Sequence, residues 1–220
     1  MGNSIELTAA DGHTLSAWRA GDGPGLVVIQ EIFGVNGHIR NTVDRFADLG
    51  FSALAPALFD RIAPGLELGY GPEDIARGRD LRGQVPNEAA LHDIRAAVDL
   101  LAGEWRPVAI VGYCWGGSLA WRSACEIDGL AAAVCYYGGE IAQSAASVPQ
   151  CPVMLHFGET DHAIPMSDVD AVRAAQPDIP VFVYPAGHGF SCDERGSYDE
   201  PSHRQALART VPFLMENLAG

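Results

Sequence analysis

The run Val108-Ala109-Ile110-Val111-Gly112-Tyr113-Cys114-Trp115-Gly116-Gly117-Ser118-Leu119-Ala120 constrains this chain more than any other stretch. An apolar, β-branched segment reads as a buried strand, glycines permit a sharp turn, and small and apolar residues then open a helix. Cys114 stands at the point of that turn. Gly112, Cys114 and Gly116 have the G-x-S-x-G spacing of a nucleophile elbow, with sulfur in place of oxygen. The same pattern accommodates a buried, inert cysteine in a glycine-rich turn, so the remaining segments have to discriminate.

They alternate in a regular way. Residues 4–8 and 14–19, separated by Asp11-Gly12, read as an antiparallel hairpin. Gly25 to Gln30 is a continuous apolar run, as expected of a strand covered on both faces. Ile39, Val43, Phe46 and Ala47 recur at helical spacing up to Gly50, and Phe51 to Ala55 restores strand character. Further strands are expected over Ala131–Tyr137, Pro152–Phe157 and Val181–Tyr184. Helices are expected around Leu91–Leu101, Ser167–Ala175 and Pro201–Leu218, the last kinked or divided at Pro212. Strands alternating with helices imply an α/β fold, a mainly parallel sheet with helices on both faces and the N-terminal hairpin at its start. One domain over 1–220 is the expectation for this length. Residues 56–86, punctuated by four prolines and five glycines, read as a loop-rich insertion lining the site, with a short helix near Asp74–Leu81.

Composition narrows the function. A formal charge of −14 with no basic patch argues against a nucleic-acid partner. All 14 basic residues are arginine, so lysine Schiff-base chemistry, the usual pyridoxal-phosphate enzymes and P-loop lysines are excluded. The five cysteines show no paired short spacing and fit a reducing compartment. With no secretory pattern and no apolar run of spanning length, a cytoplasmic protein away from the membrane is expected.

In a parallel α/β sheet, ligands bind beyond the carboxyl ends of the strands. Cys114, Glu31, Asp161 and His188 each follow a predicted strand, so all four are expected on one rim. A catalytic thiol needs a base or a depressed pKa. His188, in Gly187-His188-Gly189-Phe190, is the best placed of the seven histidines. Asp161 precedes it, with Glu159 as the competing acid, which matches the α/β-hydrolase order of nucleophile, acid and histidine. In that scaffold the oxyanion donors would be the backbone amides of Trp115 and Ile32. The histidines lack a metal-ligand spacing, so no metal is expected. Phe33, Tyr70, Trp115, Tyr136 and Tyr137 could line an apolar pocket, although most aromatics in such a protein are core.

Gln30-Glu31-Ile32-Phe33-Gly34-Val35-Asn36, Gly112-Tyr113-Cys114-Trp115-Gly116-Gly117, Gly158-Glu159-Thr160-Asp161-His162 and Gly187-His188-Gly189-Phe190 together resemble the signature segments of the dienelactone hydrolases, or carboxymethylenebutenolidases. The resemblance covers essentially the whole chain. It implies an α/β-hydrolase fold, a Cys114-His188-Asp161 triad, hydrolysis of a small-molecule ester or enol-lactone through a thioester, and no cofactor. It also gives Glu31 a part in activating the thiol when substrate binds. Family members that hold a substrate carboxylate use arginines, one in the central insertion and one shortly after the catalytic histidine. Here Arg77, Arg79 and Arg82 are the insertion candidates, with Phe33 and Tyr137 as further substrate-binding candidates, while Cys192 falls where the second arginine is expected. A monomer or small homo-oligomer is expected. A non-hydrolytic binder of the same fold and a cysteine acyltransferase or thioesterase are the alternatives.

Overall fold

A computed structural model describes residues 2–104 and 107–219. The chain divides into two compact units, Met1–Ile110 and Val111–Gly220. Among the described residues, eight strands and six α-helices alternate.

The first unit opens with the expected hairpin. β1 (Asn3–Thr8) pairs antiparallel with β2 (Thr14–Ala20), with Ile5 opposite Ala17. β2 in turn pairs antiparallel with β4 (Ser52–Pro56), and β4 pairs parallel with β3 (Gly25–Ile29). Every residue of β3 and β4 is buried, which is why β3 reads as an unbroken apolar run. Between them lies α1 (Gly37–Asp48), whose Ile39, Val43 and Phe46 are buried. Asn36 caps it by accepting from the Ile39 amide. The connection after β4 is better ordered than its glycines and prolines suggest. A 3-10 turn covers Leu58–Arg61, and α2 extends over Pro72–Gln84 before α3 (Asn87–Gly103). Proline at its first position suits the start of α2, and only Gly78 and Leu81 of that helix are buried.

β5 (Val108–Tyr113) runs into the second unit, where the order is β5-β6-β7-β8 with β6 (Leu130–Tyr136), β7 (Val153–Gly158) and β8 (Val181–Tyr184). β6, β7 and β8 pair parallel, with His156 of β7 opposite Tyr136 and Phe182. α4 (Trp115–Glu126), α5 (Met166–Ala175) and α6 (Glu200–Leu218) complete the unit. Of the two outcomes expected at Pro212, a kink or a division, α6 excludes the division: it runs unbroken from Glu200 to Leu218. Its buried residues Ser202, Ala206, Thr210, Leu214 and Leu218 recur every four positions, and Pro212 is exposed outside that series. Pro212 removes the donor for the carbonyl four residues earlier, at Ala208, which is itself an exposed residue. No helix among the described residues is long and apolar enough to cross a membrane.

Candidate active site

Cys114 sits between β5 and α4 with φ 58° and ψ −117°, a conformation rare for any residue with a side chain. Holding a non-glycine residue there costs roughly 1–3 kcal/mol and persists only where the surroundings enforce it. The enforcement is local. A side chain at Gly112 would overlap the Gly116 carbonyl, one at Gly117 would overlap the Tyr136 carbonyl oxygen, and one at Gly138 would lie 2.8 Å from the Ser118 nitrogen. The backbone of α4 therefore packs directly on the end of β6. The Cys114 amide donates to the Tyr136 carbonyl at 3.0 Å, and the Cys114 carbonyl accepts from Gly117 and Ser118. Cys114 is the N-cap residue of α4, a 12-residue helix.

Two loops bring the partners to it. After β7, the Glu159 amide donates to Tyr184 and the Thr160 amide to Ala186, so this loop follows the one after β8. Gly158 permits the approach, since a Cβ there would overlap the Ala186 carbonyl. Asp161, its side chain fully buried, accepts from the Ala163 amide through Oδ1 and meets His188 Nδ1 through Oδ2 at 2.7 Å. His188 Nε2 lies 3.1 Å from Cys114 Sγ. Glu159 is exposed, so the acid of the constellation is Asp161. Burial disfavours the His188 imidazolium, but the Cys114 sulfur and the Asp161 carboxylate outweigh it and raise the pKa to about 10.

Phe190 anchors the His188 loop. It is fully buried, with its ring 5.3 Å from that of Tyr137 and 5.2 Å from that of Tyr184. Tyr137, also fully buried, has φ 38° and a ring centroid 5.1 Å from His188. From sequence Tyr137 is a pocket candidate; the structure makes it a wall against the imidazole. Cys192 is buried in the same loop, and the Arg195 guanidinium lies over Gly189, where a Cβ would be 2.8 Å from its central carbon.

The other candidates lie in the first unit. Glu31, Ile32 and Phe33 follow β3, with Glu31 and Phe33 buried and the Phe33 ring edge-on to Tyr70 at 4.7 Å. Arg77, Arg79 and Arg82 lie on α2, the first two exposed and the third partly buried. Trp115 belongs to the second unit, as the first residue of α4.

His156 carries only a weak signal in the sequence. It is fully buried, with Nδ1 2.8 Å from the Tyr184 hydroxyl and Nε2 3.1 Å from Thr210 Oγ1. Thr210 also meets the Tyr136 hydroxyl at 2.7 Å, and Arg209 donates to Tyr184. Burial, with Arg209 nearby, lowers the His156 pKa to about 3. Its position inside an apolar strand rather than after one is the signal that separates it from His188.

Strands and helices in this order, with a strand-to-helix elbow at Cys114, have the α/β-hydrolase fold. The sequence pattern of the Dienelactone hydrolase family matches residues 13–218. A Synechocystis protein provisionally named a carboxymethylenebutenolidase is 35% identical over 94% of this chain and 92% of its own. Carboxymethylenebutenolidase 1 of Cupriavidus pinatubonensis is 29% identical, covering 97% of each chain. A crystal structure from Klebsiella pneumoniae, provisionally a dienelactone hydrolase, superposes with a TM-score of 0.83 at 30% identity, covering 98% of this chain and 99% of that one. The chain belongs to the dienelactone hydrolase family.

Proposed function

We propose that the protein is a cysteine-dependent hydrolase of carboxylic esters or enol-lactones. The observation that carries the reading is the continuous line from Cys114 Sγ through His188, at 3.1 Å, to Asp161, at 2.7 Å. The sulfur, with its proton held on His188, attacks the substrate carbonyl carbon, and the carbonyl oxygen becomes an oxyanion. The amides of Ile32 and Trp115 hold that oxyanion. Collapse breaks the ester bond, His188 gives its proton to the leaving oxygen, and a Cys114 thioester remains. Water, losing its proton to His188, then releases the acid and restores the thiol. Asp161 holds the imidazole tautomer and stabilises the imidazolium throughout. Glu31 assists deprotonation of the thiol when substrate binds, as family resemblance implies, so Glu31→Gln should slow acylation without abolishing it.

The family match over residues 13–218 supports reading 1–220 as one hydrolase domain. The relatives named carboxymethylenebutenolidases support an enol-lactone as substrate class. Five cysteines without paired short spacings accord with a cytoplasmic setting. One of Arg77, Arg79 and Arg82 meets the carboxylate of the acyl group, while Phe33 and Tyr137, both buried, support the site from behind. The test is activity on a panel of carboxylated enol-lactones and neutral aryl esters. Cys114→Ala is expected to abolish turnover of all of them; full activity in that variant overturns the proposal. Single substitution of the three arginines is expected to impair only the carboxylated substrates, and equal rates across all three variants would remove arginine recognition from the account.

A further inference from the structure

The segment that carries Ile32 is not held by β3 alone. Within the first unit it is clasped along its whole length by residues 65–78, the later part of the insertion. Gly34, at φ 79°, lies under the Leu66 carbonyl, where a side chain would overlap it. The Leu68 amide donates to the Phe33 carbonyl at 2.9 Å. Asn36 Nδ2 donates to the Leu68 carbonyl at 3.0 Å and lies 3.1 Å from the Tyr70 hydroxyl. The last member of the clasp is α2 itself. Gly78 is buried against the Ile32 carbonyl, and a Cβ on it would overlap that oxygen, lie 3.2 Å from its carbon and 3.3 Å from Ile32 Cγ1.

Glycine at this place is poorly explained by the helix. It is among the costliest residues in a helix interior, and Gly78 has ordinary right-handed backbone, so no positive φ requires it. Gly83 of the same helix has open space around it and is a plain surface position. What distinguishes Gly78 is the backbone carbonyl that lies where its side chain would be.

We propose that Gly78 is a positioning residue: it lets α2 rest directly on the Ile32 carbonyl and so fixes the orientation of the residue whose amide serves as an oxyanion donor. The inference rests on the hydrolase reading for the role of that amide. The seating itself is a matter of backbone geometry. A methyl at position 78 has a rigid carbonyl before it, so either Ile32 shifts and carries its N–H off its aim, or α2 lifts and leaves Ile32 without the contact that holds it. Reactions that develop an oxyanion suffer from such a change, whereas a reaction of the thiol without one does not.

The test compares Gly78→Ala with Gly83→Ala in two assays, hydrolysis of a small aryl ester and alkylation of Cys114 by iodoacetamide, a displacement that forms no oxyanion. Gly78→Ala is expected to lower kcat about 10- to 100-fold, the scale associated with a misplacement of about an ångström. KM and the alkylation rate should stay within about twofold, and Gly83→Ala should match the parent in every assay. Leu81→Ala loosens the packing of α2 by truncating the buried leucine of that helix, adds no atom, and should lower kcat several-fold with alkylation spared. Unchanged kcat in Gly78→Ala, or equal losses in hydrolysis and alkylation, overturns the inference. If Gly78→Ala does not fold, Leu81→Ala decides by the same criterion. Cys114→Ala separates the two layers: if it retains activity, the hydrolase reading fails; if it is inactive while Gly78→Ala is fully active, only the role of Gly78 fails.

Discussion

Two histidines of the second unit are alike in being largely buried and opposite in their chemistry. His188 lies in a loop between a thiol and a buried carboxylate, and its pKa is raised to about 10. His156 lies inside β7 between two neutral hydroxyls, and its pKa falls to about 3. Both are shielded from most of the solvent, so burial does not decide the outcome. The partners do: groups able to carry negative charge hold the imidazolium, while hydroxyls satisfy a neutral ring and leave the desolvation cost of charge uncompensated. One ring is equipped to move protons, the other to tie β7, β8 and α6 together.

The largest expected way to disturb this contrast is Asp161→Asn. It removes the carboxylate from the charged side and should lower kcat by about 10³–10⁴-fold on an aryl ester, as loss of the orienting acid does in such triads. A loss below tenfold would mean that Asp161 does not orient His188. Next is His156→Phe, which leaves the hydroxyls of Tyr184 and Thr210 short of a partner. Stability in urea should fall by about 1–3 kcal/mol, while kcat per folded molecule stays near that of the parent; a specific loss of kcat with unchanged stability would place His156 in the chemistry instead.

The pH dependence of stability carries both signs. His188 is raised above its unfolded value near 6.5, so its stabilisation is complete below that pH and is lost as pH rises through about 10. His156 is depressed, so the stability held by its neutral form is present above 6.5 and is lost as pH falls toward about 3. His156→Phe should flatten the acid side of the urea profile and Asp161→Asn the alkaline side; the reverse pattern would exchange the two assignments. The smallest change is a shift without loss of fold: in Cys114→Ala the His188 imidazole resonance should titrate below its parent value, because the sulfur that helps hold the proton is gone, while His156 stays unmoved.

Much of this site is legible in the residues. The elbow glycines, the order Cys114, Asp161, His188 and their placement after apolar runs all follow from local steric demands and strand patterning, which leave clear marks in a sequence. The hidden parts depend on what lies across from a residue. Gly78 counts as a helix interruption until the Ile32 carbonyl is seen above it. Pro212 reads as a break until α6 is seen to bury only the opposite face. His156 looks like any histidine until its strand is known to be covered, and Phe190 reveals its anchoring role only through the rings of Tyr137 and Tyr184. Residues 56–86 show the same limit, since propensity marks α2 as weak and its seating supplies what propensity does not.

The most direct test of the central claim is rapid acid quench of the protein with a slowly hydrolysed aryl acetate, followed by mass analysis of its peptides. A single acetyl group on the peptide that contains Cys114, absent from Cys114→Ala and diminished in Asp161→Asn, is the predicted result. Turnover with no adduct on that peptide, or an adduct on a serine, would contradict it.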